Sequence, residues 1–194
     1  MLDKSIPYVG LYMRRPAGKP IAQVPLPYGY DFTFYKSGDE LDWARLETSV
    51  LEFSSEFAAL LHFKERFIPY PDELAKRCLF IENECGEKIA TATAWWSVVN
   101  DERRPWLQWV SVDPSHQGLG LGKALIHKVT EIMMSLEGDA DFYLQTQTWS
   151  HKAIRIYVDI GYLPTAEKTL YRSHKDNYKK AMKFLEERGI LNKN

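Results

Sequence analysis

The sequence predicts a mixed α/β (α+β) layered fold, in which strands and helices surround one hydrophobic core. Three observations support this prediction: strand-like apolar segments recur along the chain, amphipathic helices separate several of them, and a glycine-rich turn joins one strand to the next helix. That helix has an apolar stripe, because Leu121, Leu125, Val129, Ile132 and Leu136 recur every three or four residues. The composition suits a sizeable core, since 45% of the residues are hydrophobic.

The N-terminal region predicts an arm followed by a single domain. Half of the ten prolines fall within residues 1–30, so we expect an extended arm there, with an edge strand at Tyr8–Met13. Residues 31–194 are predicted to form one domain, because their length and composition fit one large core better than two small ones. Its first element is a short aromatic strand over Asp31–Tyr35.

Two helices are predicted next along the chain. Ser37 and Glu40 have the spacing of a capping box, which predicts a helix with Ser37 as its N-cap. A second amphipathic helix is predicted over Ser54–Phe67, and we expect Pro69 and Pro71 to end it.

Apolar runs and turn residues predict the remaining elements. Strands are expected over Arg77–Asn83, Lys88–Val98, Trp106–Val112 and Phe142–Thr148 and near Ala166–Ser173, and helices over Ser150–Ile160 and from about Asp176 to Glu187. A hairpin turn at Glu84–Glu87 joins the first two of these strands.

The bulk composition excludes several classes of protein. With 25 basic and 26 acidic residues, the net charge of −1 gives no electrostatic reason to expect a nucleic acid or an anionic membrane as a partner. No apolar run approaches the roughly 20 residues that span a bilayer, and the N-terminus has no secretory pattern. Cys78 and Cys85 are the two cysteines, which predicts a reducing, cytoplasmic location. The five histidines lack metal-ligand spacing, so no metal site is predicted.

The glycine-rich turn carries the strongest functional signal. Gly118, Gly120 and Gly122 lie where the helix begins, so backbone N–H groups and the positive end of the helix dipole are exposed together. This arrangement predicts an anion site suited to a pyrophosphate.

Two common phosphate-binding patterns do not fit this turn. A P-loop requires glycine and a hydroxyl residue where this chain has Gln117 and Ala124. A Rossmann fingerprint requires a further glycine where this chain has Lys123 or Leu125, so that pattern is also a weak match.

A third pattern matches at each defining position. Val-x-Val-x-Pro at 110–114 is followed by Gln-x-x-Gly-x-Gly at 117–122. Here the chain resembles the GNAT family of acyl-CoA-dependent N-acetyltransferases, and the resemblance covers roughly Asp31 to Tyr171. It implies acetyl-CoA as co-substrate, with coenzyme A bound by Val110, Ser111, Val112, Gln117, Gly118, Leu119, Gly120, Leu121, Gly122, Lys123, Ser150 and Ala153.

The resemblance also implies an architecture. It predicts a mixed, mostly antiparallel central sheet of about seven strands flanked by helices. The central strands before the two motif helices would splay apart, and the pantetheine arm would insert between them. Backbone groups of Val110 and Val112 would pair with that arm.

A second segment, Ala153–Tyr162, resembles the later family motif, in which a tyrosine precedes Gly-Phe/Tyr by four residues. The resemblance implies that Tyr157 is the general acid, because a phenol can protonate the departing thiolate. It further implies direct attack in a ternary complex, with the Val110 amide polarising the acetyl carbonyl.

The chain departs from the family pattern at two places. Ser150 stands where the family often has an asparagine that contacts the cofactor. The strand before the loop offers no general base, because its positions hold Trp106, Gln108 and Trp109.

Three glutamates on the preceding helices are candidate bases, but for each of them the sequence favours a solvated helix surface: Glu47, Glu52 and Glu56. The expected acceptor is the amine of a small molecule or a peptide, and the resemblance makes a homodimer plausible. The alternative is a non-catalytic module of the same fold that binds or senses acyl-CoA.

Overall fold

The computed structural model describes residues 2–167, 170 and 177–191. Within these residues, seven strands form one sheet in the order β2-β3-β4-β5-β6-β1-β7. The strands are β1 (Gly10–Arg15), β2 (Tyr30–Phe34), β3 (Cys78–Asn83), β4 (Lys88–Val99), β5 (Glu102–Val112), β6 (Phe142–Gln147) and β7 (Leu163–Pro164). The helices are α1 (Glu40–Ser49), α2 (Glu56–Arg66), α3 (Pro71–Arg77), α4 (Leu121–Glu137), α5 (His151–Asp159) and α6 (Asn177–Glu187).

The centre of the sheet is split. The strand pairs are antiparallel except for β5 and β6, which are parallel and pair only at Trp106–Tyr143 and Leu107–Leu144. Beyond these two pairs the strands diverge toward their C-terminal ends, which opens a gap in the sheet. The mixed, mostly antiparallel sheet with splayed central strands is therefore confirmed.

A β-bulge lies beside this gap. One residue of β4, Ala92, stands opposite two residues of β5, Trp109 and Val110. Trp109 has a φ of 52°, in the left-handed region, which accommodates the extra residue. The bulge changes the register of β5 just before the glycine turn, and the Trp109 ring packs against Trp43 of α1.

Two hydrophobic clusters cover the two faces of the sheet. On one face, α4, α5 and α6 pack against the strands through residues such as Leu125, Ile154 and Leu185. On the other face, Trp43 of α1 and Phe63 of α2 belong to a cluster rich in aromatic side chains. The helices of this second cluster pack against β3, β4 and β5 and leave the same face of β6 and β1 open to a cavity.

The prediction of an edge position for the N-terminal strand is wrong. β1 pairs with β6 over all six of its residues and with β7 at Met13 and Arg14. No proline lies within Gly10–Arg15, so the strand can donate hydrogen bonds on both sides. It belongs to the same sheet as the strands of the predicted domain.

The prediction of a capping box with Ser37 as the N-cap is also wrong. α1 begins at Glu40, with Asp39 at its N-cap. The Glu40 carboxylate accepts hydrogen bonds from the Gly38 N–H and the Tyr35 hydroxyl, at 2.9 and 2.8 Å. The carboxylate is therefore used locally, and the preceding residues form a turn.

Pro71 does not end a helix but begins one. α2 ends at Arg66, and Pro71 occupies the first turn of α3, where its missing N–H costs no helical hydrogen bond. The sequence alone does not predict α3, because proline occurs both beyond the end of a helix and in the first turn of the next one.

After residue 167, the structure describes only residues 170 and 177–191. The predicted strand near Ala166–Ser173 lies largely outside the described residues, and Ala166 and Glu167 are not in a strand. The short β7 precedes it and was not predicted. α6 agrees with the helix predicted from about Asp176, whose first residue lies outside the described part. Among the described residues, no helix is both long enough and apolar enough to cross a membrane.

The segment before β1 is tied to the turn between β6 and α5. The Asp3 N–H donates to the Trp149 carbonyl at 2.9 Å, and the Trp149 indole donates to the Ile6 carbonyl at 2.8 Å. The Thr148 hydroxyl donates to the Pro7 carbonyl at 2.6 Å. These contacts hold the N-terminal segment across the open end of the β5–β6 gap.

Candidate active site

Two adjoining cavities occupy the gap between β5 and β6. The smaller one, about 290 Å³, lies around residues 117–123 and is called the loop cavity here. The larger one, about 670 Å³, lies on the α1–α2 face of the sheet and is called the large cavity. Four residues line both cavities, at the point where the two meet: Glu52, Val110, Ser150 and Ala153.

The loop cavity contains the predicted cofactor residues with one exception. Val110, Ser111, Val112, Gln117, Gly118, Gly120, Leu121, Gly122, Lys123, Ser150 and Ala153 line it. Leu119 does not, because its side chain is exposed at the outside of the turn. Lys123 and Lys152 supply positive charge at the rim.

Exposed backbone forms the floor of the loop cavity. Gly118 and Gly120 have φ values of 87° and 85°. Apart from the adjacent residues in the chain, no described heavy atom lies within 4 Å of the position that a Cβ would occupy at either residue. Gly120 is the N-cap of α4, whose first helical hydrogen bond runs from Ala124 N–H to the Gly120 carbonyl. The preceding N–H groups of the helix have no helical acceptor, so they face an approaching anion.

Side chains of the turn fix its shape. The Gln117 amide donates to the Val112 carbonyl at 2.9 Å, which ties the loop to the end of β5. Asp113 accepts from the Ser115 N–H at 2.9 Å, and its own N–H donates to Ile89 of β4 at 2.8 Å. The glycine backbone is therefore held in place before any ligand binds.

Glu47 is the most unusual group in the large cavity. It is 1% exposed, and neither carboxylate oxygen has a hydrogen-bond partner among the described residues. Burial raises its pKa to about 8, against the influence of the nearby Ser111 hydroxyl. The interpretation of Glu47 as a solvated helix residue is therefore wrong. Trp43 and Ala44 of the same helix face are buried too, and this helical spacing was the signal available in the sequence.

Glu52 and Tyr157 lie close to Glu47. Glu52 is open to water within the cleft and accepts a hydrogen bond from Gln147 at 3.3 Å, yet the protein around it raises its pKa. Tyr157 is 6% exposed, and burial raises the pKa of its phenol. The charges of Glu52 and Glu47 raise the pKa of Tyr157 further. Glu56 is exposed and lines neither cavity.

Aromatic rings form one wall of the large cavity. Trp109 stacks on Phe53 at 5.1 Å and meets the His62 ring edge-on at 4.8 Å, both measured between ring centroids. Burial lowers the pKa of His62, so this imidazole is neutral near pH 7. On the opposite side, Tyr12 lies edge-on to Trp106 at 6.0 Å.

Several cavity residues were missed from the sequence. Tyr8, Tyr12, His62 and Arg66 line the large cavity, but they come from elements far apart in the chain. No local motif links them, so nothing in their spacing pointed to a shared site. Among the described residues, no three His, Cys, Asp or Glu side chains are grouped so that they would hold a metal ion.

Comparisons with known proteins agree with this architecture. Residues 41–162 match the family model described as the acetyltransferase (GNAT) family. A comparison with curated proteins gave no match.

Solved structures of similar fold include proteins from several bacteria. A GCN5-related N-acetyltransferase from Sphaerobacter thermophilus is 18% identical, with a TM-score of 0.64 over 81% of this chain and 49% of that one. One from Kribbella flavida is 21% identical, with a TM-score of 0.52 over 80% of this chain and 54% of that one. One from Ralstonia eutropha JMP134 is 21% identical, with a TM-score of 0.53 over 72% of this chain and 95% of that one.

The chain thus spans about half the length of the Sphaerobacter and Kribbella proteins. At these identities the structural likeness establishes the fold alone, while the family model covers more than half of the chain. The family model matches residues 41–162, and the split sheet and the glycine turn at the start of α4 agree with that match. The chain therefore belongs to the GNAT family of acetyltransferases.

Proposed function

We propose that the protein is an N-acetyltransferase that moves an acetyl group from acetyl-CoA to the amine of a small molecule or peptide. One observation carries the proposal: a backbone-lined anion site and a cavity holding two glutamates and a tyrosine meet at Val110 and Glu52. A donor and an acceptor bound in the two cavities would come together at that junction. Direct attack in a ternary complex suits this geometry.

The loop cavity fits the phosphates of coenzyme A. The open space at Gly118 and Gly120 lets a pyrophosphate approach the backbone, where a Cβ would otherwise stand. The N–H groups at the start of α4 and the ammonium of Lys123 would bind its charge. Backbone groups of Val110 and Val112 would hold the pantetheine arm along β5. When bound, acetyl-CoA supplies an activated acetyl thioester.

The bulge at Trp109 and Val110 supports a second role for the backbone. It takes Val110 out of register with β4 at the point where the two cavities join. We assign to the Val110 N–H the stabilisation of the oxygen that gains negative charge during attack.

Tyr157 suits the part of general acid. Because its pKa is raised, the phenol keeps its proton throughout the physiological range. The raised pKa also makes the phenol a weaker acid, so the transfer requires direct contact with the sulfur. The phenol would donate its proton to the sulfur as the carbon–sulfur bond breaks, and the tyrosinate would then regain a proton from water.

Glu52 suits the part of general base. It lies at the junction, is reached by water, and has a raised pKa closer to that of a useful base at neutral pH. It would take the proton that the attacking amine must lose. Glu47, with a pKa of about 8, is mostly protonated at neutral pH and therefore adds little negative charge near Glu52.

The proposal is tested by mixing the protein with acetyl-CoA and a panel of amines and following the release of free thiol. We expect release that depends on both the amine and the enzyme. Tight binding of acetyl-CoA, measured by calorimetry, with no thiol release from any amine would contradict the proposal and favour the acyl-CoA sensor.

A further inference from the structure

We infer that the acceptor carries an anionic group, such as a carboxylate, separated from its reacting amine by an apolar or aromatic spacer, and that Arg66 recognises this group. The inference rests on the proposed function, because it identifies the acceptor's class from the large cavity. It depends on three features of that cavity: a cation at one position, acids at another, and aromatic side chains in the walls.

The cation is Arg66, in the last turn of α2. Its side chain lines the large cavity and donates one hydrogen bond, to the Trp96 carbonyl at 2.9 Å. No carboxylate among the described residues lies within ion-pair distance of this guanidinium. A guanidinium has five N–H donors, so most of them are available to a ligand in the cavity.

Neighbouring groups favour an anion at this position. The amide of Gln108 donates to the same Trp96 carbonyl at 3.2 Å, so it lies beside the guanidinium. His62, one helical turn before Arg66, has a lowered pKa, and the Arg66 charge contributes to that effect. At neutral pH the positive charge at this position therefore belongs to Arg66 and not to His62. A guanidinium can bind a carboxylate through two parallel hydrogen bonds.

The acids stand apart from this cation along β5. Arg66 lies beside Gln108, whereas Glu47 lies near Ser111. Three residues of an extended strand span about 10 Å, and the bulge shortens this somewhat. An α-amino acid, whose amine and carboxylate share one carbon, is too short to reach both positions. The acceptor must be longer, as in a peptide or an ω-amino acid.

Aromatic side chains line the large cavity that contains both positions. Tyr12, Trp106 and Trp109 line the large cavity, and Trp106 is nearly buried. Such rings favour an apolar or aromatic spacer over a hydrated polar one. Two unlike charges joined by an apolar body therefore complement this cavity.

The test uses a matched pair of acceptors, 4-(aminomethyl)phenylacetate and 4-(aminomethyl)phenylacetamide. They share the amine and the ring and differ only in the negative charge. We expect kcat/KM for the acid to exceed that for the amide by on the order of tenfold, the value of a charge-assisted hydrogen bond at an accessible site. In calorimetric titrations of the protein, the acid should likewise bind more tightly than the amide, with a lower Kd.

The variant Arg66→Gln should bring the acid-to-amide ratio close to one, mainly by weakening the acid. Lys64→Gln is the matched control, because Lys64 is an exposed cation of the same helix that does not line the cavity. It should leave the ratio at its wild-type value.

Two results would overturn the inference: equal kcat/KM values for acid and amide in the wild type, or an equal loss for both in Arg66→Gln, which would mean that Arg66 only supports the fold. If thiol is released but the ratio is one, the inference fails and the proposed function stands. If no amine reacts, the proposed function fails, and the Kd ratio still decides whether Arg66 binds the anion.

Discussion

The loop cavity and the large cavity lie side by side, but they are built in opposite ways. The loop cavity uses the backbone of one continuous segment, Val110–Lys123, with glycines that leave its N–H groups accessible. The large cavity uses side chains from the N-terminal segment, α1, α2, β5, β6 and α5. A binding site made of backbone should tolerate changes of side chain and be sensitive to added atoms. A site made of side chains should be sensitive to the replacement of those side chains.

The largest effect is expected at Tyr157. Replacing it with phenylalanine removes the proton donor, so kcat should fall by about 10²- to 10⁴-fold, while the KM for acetyl-CoA changes little. Thiol release with a responsive amine measures both. Tyr143→Phe is the matched control, because Tyr143 is an equally buried tyrosine that lines neither cavity. Undiminished turnover in Tyr157→Phe would remove the tyrosine from the mechanism.

Glu52→Gln should lower kcat/KM by roughly 10²-fold and change its pH profile. A base works when it is deprotonated, so the wild-type rate should rise with pH through the pKa of Glu52, which lies above the ordinary glutamate range. The variant should lose this rise. Glu56→Gln, an exposed change of the same kind, should retain it. A wild-type profile that persists in Glu52→Gln would assign the base elsewhere in the cavity.

Glu47→Gln should stabilise the protein at alkaline pH. Folding raises the pKa of Glu47 from 4.5 to about 8, so the unfolded chain releases this proton first as the pH rises. The wild type therefore loses stability between about pH 4.5 and pH 8, and the penalty is constant above that range. We expect a gain in the free energy of unfolding of roughly 4 to 5 kcal/mol at pH 8.5, from about 1.36 kcal/mol for each pKa unit. We expect little gain at pH 4, where the buried acid and the buried amide are both neutral and without a partner.

Denaturant unfolding at the two pH values tests this expectation for Glu47. An equal gain at pH 4 and pH 8.5 would mean that the carboxyl does not titrate as described. A gain in stability together with reduced turnover would show that the cavity keeps the acid at a cost to the fold.

Gly120→Ala should raise the KM for acetyl-CoA by about tenfold, because the new methyl group would enter the loop cavity. It should also cost about 1 kcal/mol of stability, since φ is 85° at this position. Gly138→Ala, at the other end of α4, also places alanine at a positive φ, with φ 73° and ψ −164°, a region that disfavours alanine at least as strongly. Gly138 lines neither cavity. This variant should lose stability without changing KM. Equal KM values in the two variants would argue against a cofactor at the glycine turn.

The sequence predicted the backbone-built region well. The strand, the turn and the apolar stripe of α4 are local patterns, and each restricts the backbone within a few residues. The glycine spacing therefore predicted the position of the loop cavity, which the predicted cofactor residues line with the exception of Leu119. Predictions failed where one residue has two structural uses: Pro71 begins α3, and Glu40 accepts hydrogen bonds from the turn before it.

The side-chain-built region was largely beyond sequence reasoning. Tyr8, Glu47 and Arg66 line the same cavity only because α1, α2 and the N-terminal segment pack over the same gap. Tertiary packing brings these residues together, and local sequence patterns do not predict tertiary packing. Glu47 was the exception, since it shares a buried helix face with Trp43, and a carboxylate at such a position is a sign of function.

The shared wall between the cavities has a practical consequence for inhibition. Since Glu52, Val110, Ser150 and Ala153 line both spaces, no protein layer separates a molecule in one from a molecule in the other. A single compound that joins coenzyme A to an aromatic acid through a short covalent link would fill both spaces at once. Its second half would bind at the high effective concentration set by the link, so it should bind more tightly than either half alone.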